Sequence, residues 1–103
     1  MRIVGYVPDL MDRSRLGGAV ELVDDPAELV GAEAELVLLD VGRPGVLDVV
    51  GRITAPTLGF CAHVDDALMS EASAAGCDEV LPRSRVFRRL AALLADEPGT
   101  SSR

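Results

Sequence analysis

The chain has 103 residues, about the length of one domain, and 49% of them are hydrophobic, so a single buried core is expected. Its net charge of −7 repels phosphate backbones and anionic headgroups, which excludes nucleic acid and membrane surfaces as partners. No apolar run approaches the roughly 18 residues of a membrane span, and two cysteines are too few for a disulfide framework. We therefore expect a cytoplasmic protein with reduced thiols.

Apolar runs and helical stretches alternate along the chain, and capping residues mark where the helices begin. In chain order, the predicted strands are residues 2–7, 19–23, 35–40, 56–61 and 78–81, and the helices that follow them are 9–16, 25–31, 46–53, 65–75 and 84–95. Asp9 and Ser84 are expected to cap the first and last helices. The second helix has the clearest start, because Asp25, Pro26 and Glu28 occupy the positions that favour a helix N-terminus.

The order of these elements predicts the fold. Five strand–helix pairs joined by short loops indicate a parallel sheet with helices on both faces. Because such crossovers are right-handed, few topologies remain. The compact solution is a doubly wound, five-stranded α/β fold with strand order 2-1-3-4-5, a flavodoxin-like three-layer sandwich. We expect residues 1–95 to form this domain and the polar residues 96–103 to form a flexible C-terminal tail.

In this architecture, ligands bind at the carboxyl ends of the strands, near the point where the strand order reverses. The residues that the predicted strands place there are Asp9, Asp40, Cys61, His63 and Arg83. Simpler roles are open to the carboxylates, since Asp9 can cap a helix and Asp40 can cap the loop that follows its strand. Cys61 and His63 could supply a thiol nucleophile or metal ligands, but one Cys and one His are too few to favour a zinc site.

Two parts of the chain resemble response-regulator receiver domains. Residues 36–45, Leu-Val-Leu-Leu-Asp-Val-Gly-Arg-Pro-Gly, are similar to the receiver's third strand, which carries the phospho-accepting Asp with a Pro four residues later. Asp40 and Pro44 have that spacing. Residues 56–65 and 74–81 are similar to the family's fourth strand and to the Gly-Ala-Asp sequence that leads into its fifth strand. Together with the order of the elements, the resemblance covers nearly the whole chain.

The chain departs from the receiver pattern at three places. The acidic pair that holds Mg²⁺ at the end of the receiver's first strand falls at about Tyr6 and Val7, with only Asp9 nearby. The family's Thr or Ser on the fourth strand aligns with Cys61. Its Lys after the fifth strand aligns with Arg83, unless the preceding Pro displaces it.

These departures bear on the chemistry that the resemblance implies for Asp40. Phosphoryl transfer to a carboxylate brings like charges together, and a metal ion and a nearby cation normally offset the repulsion. Asp9 and Asp40 alone offer few ligands for Mg²⁺, because that ion prefers oxygen ligands in strict octahedral geometry. Phosphorylation at Asp40 is therefore doubtful.

We expect a stand-alone, non-enzymatic regulatory module that acts through protein contacts. The resemblance implies that a protein partner or a second copy binds the face formed by the fourth helix, the fifth strand and the fifth helix. The residues expected on this face are Ser70, Glu71, Arg85, Val86 and Arg89. Solvation alone would also account for the arginines of the last helix.

Two other functions remain open. One is a genuine Mg²⁺-dependent phospho-acceptor, which needs Asp9 or another acid to hold the metal with Asp40. The other is a flavodoxin-like cofactor-binding protein. Residues 8–12 argue against a cofactor, because they are acidic where the FMN phosphate would lie, and no glycine-rich phosphate-binding motif is present.

Overall fold

The structure, a computed structural model, describes residues 1–95, so the predicted tail at 96–103 lies outside the described residues. The strands are β1 (Ile3–Tyr6), β2 (Val20–Leu22), β3 (Leu36–Asp40), β4 (Thr57–Cys61) and β5 (Glu79–Pro82). The α-helices are α1 (Leu10–Ser14), α2 (Val46–Val50), α3 (Asp66–Ala75) and α4 (Arg83–Ala95), and a 3-10 helix spans Pro26–Leu29. The fourth and fifth predicted helices therefore correspond to α3 and α4.

The five strands form one parallel sheet with the order β2-β1-β3-β4-β5, which confirms the predicted topology. The strand order reverses between β1 and β3, whose registers pair Gly5 with Leu38. All five residues of β3 are buried, because this central strand is covered on both faces. The carboxyl ends of β1, β3, β4 and β5 therefore meet at one edge of the sheet.

Each face of the sheet has its own aliphatic core. On one face, Leu38, Leu58 and Phe60 pack with Val86 and Leu90 of α4. The opposite face is packed by a second cluster, whose buried members are Val4, Leu29, Val37, Leu39, Val41, Val46, Val50, Cys61, Ala72 and Cys77. The two clusters fix α4 on one side of the sheet and α2 and α3 on the other.

Three helix predictions need correction. The second helix is a single 3-10 turn; the predicted capping box of Asp25 and Glu28 is present, but Leu29 is its one buried side chain, too little apolar surface for a longer helix. Helix α2 stops before Gly51, since glycine is a poor helix former. Ser84 does not cap α4, because β5 runs directly into a helix that begins one residue earlier.

Two further observations concern the cysteines and the lengths of the helices. Cys61 and Cys77 are both buried and unpaired. Within residues 1–95, every helix is too short or too polar to cross a membrane. Placement in the cytoplasm stays a prediction.

Candidate functional site

A pocket of about 280 Å³ lies at the carboxyl edge of the sheet. It is lined by Asp40, Gly42, Arg43, Cys61, Ala62, His63, Asp65, Leu68 and Arg83. These residues come from the end of β3 and its loop, the end of β4 and its loop, helix α3 and the first residue of α4. The structure thus brings four of the five predicted edge residues to one pocket, and Asp9 is the one that does not line it.

Asp40 is the last residue of β3, and its carboxylate is hydrogen-bonded within the chain. Its Oδ1 accepts the backbone N–H of Gly42 at 3.1 Å, and its Oδ2 accepts the Nε–H of Arg43 at 3.3 Å. The Asp40 side chain is 5% exposed, whereas that of Arg43 is 42% exposed. The negative charge is therefore buried beside a cation that the chain itself supplies.

A second ion pair joins α1 to α4. The Nε of Arg83 lies 2.9 and 3.0 Å from the two carboxylate oxygens of Asp12, a side chain that is 3% exposed. The guanidinium carbon of Arg83 also lies 5.9 Å from the centre of the Phe60 ring. These two contacts hold the Arg83 side chain at one wall of the pocket.

The sequence does not predict the Asp12–Arg83 pair, although one signal indicates that Asp12 is buried. Asp12 and Leu16 are four residues apart, so they share one face of a helix. Leu16 is buried, and Asp12 is buried with it, while Leu10 and Met11 are 77% and 74% exposed. The buried face of α1 therefore carries a carboxylate that needs a cation.

Asp9 caps α1, as predicted from its position. Its Oδ1 accepts the backbone N–H groups of Met11 at 2.8 Å and of Asp12 at 3.1 Å. The hydrogen bond from the Asp12 backbone, helped by that from Met11, lowers the pKa of Asp9 below its usual value. One carboxylate oxygen is thus committed to the helix N-terminus.

Cys61 and His63 share the pocket without forming a catalytic pair. The Sγ of Cys61 lies 3.1 Å from the backbone carbonyl oxygen of His63, so the thiol donates to the backbone and not to the imidazole ring. Burial raises the pKa of the Cys61 thiol, which keeps it in its un-nucleophilic neutral form. This geometry gives no support to a thiol nucleophile.

No protein-family model and no curated protein matches the sequence of the chain. Solved structures do match its fold. A response regulator from Hahella chejuensis has a TM-score of 0.73 at 21% identity, over 91% of this chain and 92% of that one. The BeF3-activated receiver domain of DrrB has a TM-score of 0.69 at 16% identity, over 91% of this chain and 97% of that one. The chain has the receiver-domain fold.

A third neighbour with the receiver fold is a response regulator from Burkholderia pseudomallei whose structure contains a phosphorylated aspartic acid, a calcium ion and citrate. Its TM-score is 0.65 at 20% identity, over 87% of this chain and 63% of that one. Because all three identities are low, these comparisons establish the fold and leave the chemistry to be argued from the residues of this chain.

The residues of this receiver fold do not fit Mg²⁺. In the resemblance to receivers, the two places of the acidic pair hold Tyr6 and Val7, and neither side chain carries a carboxylate. Both oxygens of Asp40 and one oxygen of Asp9 already accept hydrogen bonds. Across residues 1–95, no group of three or more His, Cys, Asp or Glu side chains is arranged to hold a metal ion. The donor set is too small for an ion that demands oxygen ligands in octahedral geometry.

The face formed by α3, β5 and α4 is polar, and one residue predicted there is misplaced. Ser70, Glu71, Arg85 and Arg89 are exposed, whereas Val86 is fully buried. Val86 lies four residues before Leu90, and both point into the core. Arg89 donates hydrogen bonds to the carboxylate of Glu79, from Nε at 3.0 and 3.3 Å and from Nη2 at 3.1 Å. The predicted residues that are exposed on this face are therefore charged or polar.

Proposed function

We propose that the chain is a non-enzymatic, receiver-like regulatory module that acts through protein contacts and does not need phosphorylation at Asp40. The observation that best supports this proposal is the state of the Asp40 carboxylate. It is buried, and the Gly42 N–H and the Arg43 guanidinium already hold its two oxygens. A phosphoryl donor would therefore meet a carboxylate whose oxygens are already hydrogen-bonded and whose charge is partly neutralised by Arg43.

The charges around Asp40 also disfavour the transfer. A phosphoryl group adds negative charge to a buried carboxylate, and metal ions normally neutralise the charge that develops. Here the acids that would hold the metal are missing, and the nearby cation Arg83 is already paired with Asp12. The geometry therefore favours a module in which internal ion pairs, and not a metal ion, balance the buried carboxylates.

Phosphate transfer from a small donor tests this proposal. The purified chain is incubated with acetyl phosphate and Mg²⁺, and its intact mass is measured beside that of Asp40→Asn. We expect neither protein to gain the mass of a phosphoryl group. A phosphoryl adduct on the wild-type chain that is missing from Asp40→Asn would overturn the proposal.

The alternative, a genuine phospho-acceptor, is favoured by one observation. Asp40 ends β3 and lines a pocket with Arg83, the residue that aligns with the receiver's Lys. Of the neighbours with this fold, the DrrB receiver domain is BeF3-activated and the Burkholderia pseudomallei response regulator contains a phosphorylated aspartic acid. The mass measurement decides between the two functions, because only a phospho-acceptor forms the adduct.

We propose that the partner surface is the face formed by α3, β5 and α4. It carries exposed residues of both charges, acidic Glu71 on α3 and basic Arg85 on α4, so two copies related by a twofold axis could place opposite charges together. Sedimentation velocity on the wild-type chain and on Arg85→Glu tests the second copy as the partner. A wild-type dimer that Arg85→Glu dissociates would support a second copy as the partner. A wild-type chain that stays monomeric at all concentrations would indicate that the partner is a different protein.

The loop between β1 and α1 does not support a flavodoxin-like role. A bound phosphate would need free backbone N–H groups there. Those of Met11 and Asp12 already donate to Asp9.

A further inference from the structure

We propose that the outward side of α4 binds an acidic segment of a different protein through Arg85, Arg88 and Arg89, which together form an arginine ridge. This inference rests on the proposed function and deepens it, because it gives the chemical class of the partner that meets the face formed by α3, β5 and α4. Helix α4 contains four of the ten basic residues of the chain and no acid, although the whole chain has a net charge of −7.

The three arginines share one side of α4. Residues three and four positions apart are neighbours on a helix, so Arg85 lies next to both Arg88 and Arg89. All three are exposed, whereas Val86 and Leu90 of the same helix are buried in the core. The ridge therefore faces solvent, and it extends over roughly 6 Å along the helix axis.

The chain leaves most of this charge unbalanced. Of the nine arginines in residues 1–95, five form ion pairs, and Arg89 is one of these. Arg85 and Arg88 form no ion pair within the same residues. Two exposed guanidinium groups are thus available to carboxylates of another molecule, and their planar forks suit carboxylate oxygens.

The position of the ridge along α4 favours a binding role over simple solvation. A helix carries partial positive charge at its N-terminus, so cations are favoured in the last turn and disfavoured in the first. In α4, Arg85 lies in the first turn, which contains no acid, and the last turn contains no basic residue. Arg88 and Arg89 are also neighbours of like charge. The ridge therefore lowers the stability of the helix, as residues kept for function often do.

The ridge fits an acidic protein segment better than a nucleic acid. A short acidic segment contacts the ridge alone, whereas a polynucleotide also brings its phosphates near the acidic rest of the chain. Single strands also need aromatic side chains on which bases stack. Phe87 is the aromatic residue of α4, and the Arg15 guanidinium lies over its ring, 5.3 Å from the centre.

A second copy of the chain is a less favourable source of the acidic segment. Two chains that each carry a net charge of −7 repel one another as they approach. A partner with acids three and four residues apart on a helix would match the spacing of the ridge. We therefore assign the ridge to an acidic helix of a different protein.

A peptide titration followed by NMR tests the ridge on the full chain. The probe is an alanine-based helical peptide whose glutamates are three and four residues apart, and the control peptide has glutamine in their place. We expect the glutamate peptide to cause saturable shifts of the amides of residues 84–89, which weaken as sodium chloride is added. The glutamine peptide should cause none, and a single-stranded DNA oligonucleotide should bind more weakly than the glutamate peptide.

Two variants link the shifts to the ridge. Arg88→Glu removes an ion pair with the peptide and adds a like charge, so we expect it to weaken binding about tenfold. Arg52→Glu is the matched control, because Arg52 is also exposed and without an ion pair in residues 1–95, and it follows α2 on the opposite face of the sheet. Arg88→Glu should be at least as stable in urea as Arg52→Glu, since the introduced carboxylate lies three residues from Arg85.

Several results would overturn the inference. The absence of a saturable shift with the glutamate peptide, or equal weakening by the two variants, would leave the ridge merely solvated. Lower stability of Arg88→Glu than of Arg52→Glu would give the ridge a role in folding. Tighter binding of the oligonucleotide would make the partner a nucleic acid, and a wild-type dimer that Arg88→Glu dissociates would make it a second copy.

Failure of this inference and failure of the proposed function give different results. The peptide titration contains no phosphoryl donor, so its outcome does not depend on phosphorylation of Asp40. A phosphoryl adduct formed with acetyl phosphate would overturn the proposed function, whereas missing peptide shifts without an adduct would overturn the acidic partner alone.

Discussion

Two buried carboxylates at the carboxyl edge are each balanced by an arginine, and this pairing supports the proposal that the chain works without a metal ion. Asp40 pairs with Arg43 three residues later, whereas Asp12 pairs with Arg83 across 71 residues of sequence. Neither pair could be predicted from the sequence. The first depends on the turn of the loop after β3, and the second depends on how α1 and α4 pack on the same face of the sheet.

The Asp12–Arg83 pair should contribute strongly to stability. Arg83→Ala leaves the Asp12 carboxylate buried without a cation, and breaking a buried pair in this way costs about 3 kcal/mol. Urea unfolding of Arg83→Ala should show this loss in the free energy of unfolding. Arg85→Ala, at an exposed position two residues away, should change it by less than about 0.5 kcal/mol. Equal stabilities of the two variants would show that the pair contributes nothing.

At the scale of elements, the strands follow the sequence closely and the helices less so. The predicted strands at 35–40 and 56–61 are largely apolar, as burial in a parallel sheet requires, and their positions could be derived from this pattern. The edge strands at 19–23 and 78–81 carry Glu21 and Glu79, and their positions followed from the regular alternation of strands and helices. Helix ends depend on local competition that the pattern does not resolve. The segment Pro26–Leu29 has the right cap but too little apolar surface, and α4 begins without a loop in which a cap could lie.

The pattern of apolar residues also does not predict how closely neighbouring strands pack, as Gly5 shows. A Cβ at Gly5 would lie 2.8 Å from the Val20 Cγ1 and 3.2 Å from the Leu38 carbonyl oxygen, so β1 can approach its neighbours only without a side chain there. We expect Gly5→Ala to lower the free energy of unfolding by about 1–3 kcal/mol through overpacking. Gly18→Ala is the matched control, because nothing lies within 4 Å of its Cβ position. A Gly5→Ala protein as stable in urea as Gly18→Ala would contradict this account of the sheet.

At the scale of the whole molecule, the chain has the receiver fold, and it departs from the receiver pattern in the residues at the carboxyl edge of its sheet. The fold and the position of Asp40 could be predicted because both follow from strand order and from the rule that sites lie where that order reverses. The prediction that Val86 faces a partner was wrong, because the helical phase of α4 points it into the core with Leu90. The role of Arg43 could not be derived from the sequence, because its contact with Asp40 depends on the turn of the loop after β3.

In the proposed function, Arg43 and not a metal ion is the cation that balances Asp40. The most direct measurement is an NMR titration of the wild-type chain with Mg²⁺, in which the amides of Asp40, Cys61 and Arg83 report on the pocket. We expect these amides to show no saturable shift at millimolar Mg²⁺, because the carboxylate oxygens are already bonded and the acidic pair is missing. A saturable shift centred on Asp40 would contradict the account and restore a metal-dependent switch.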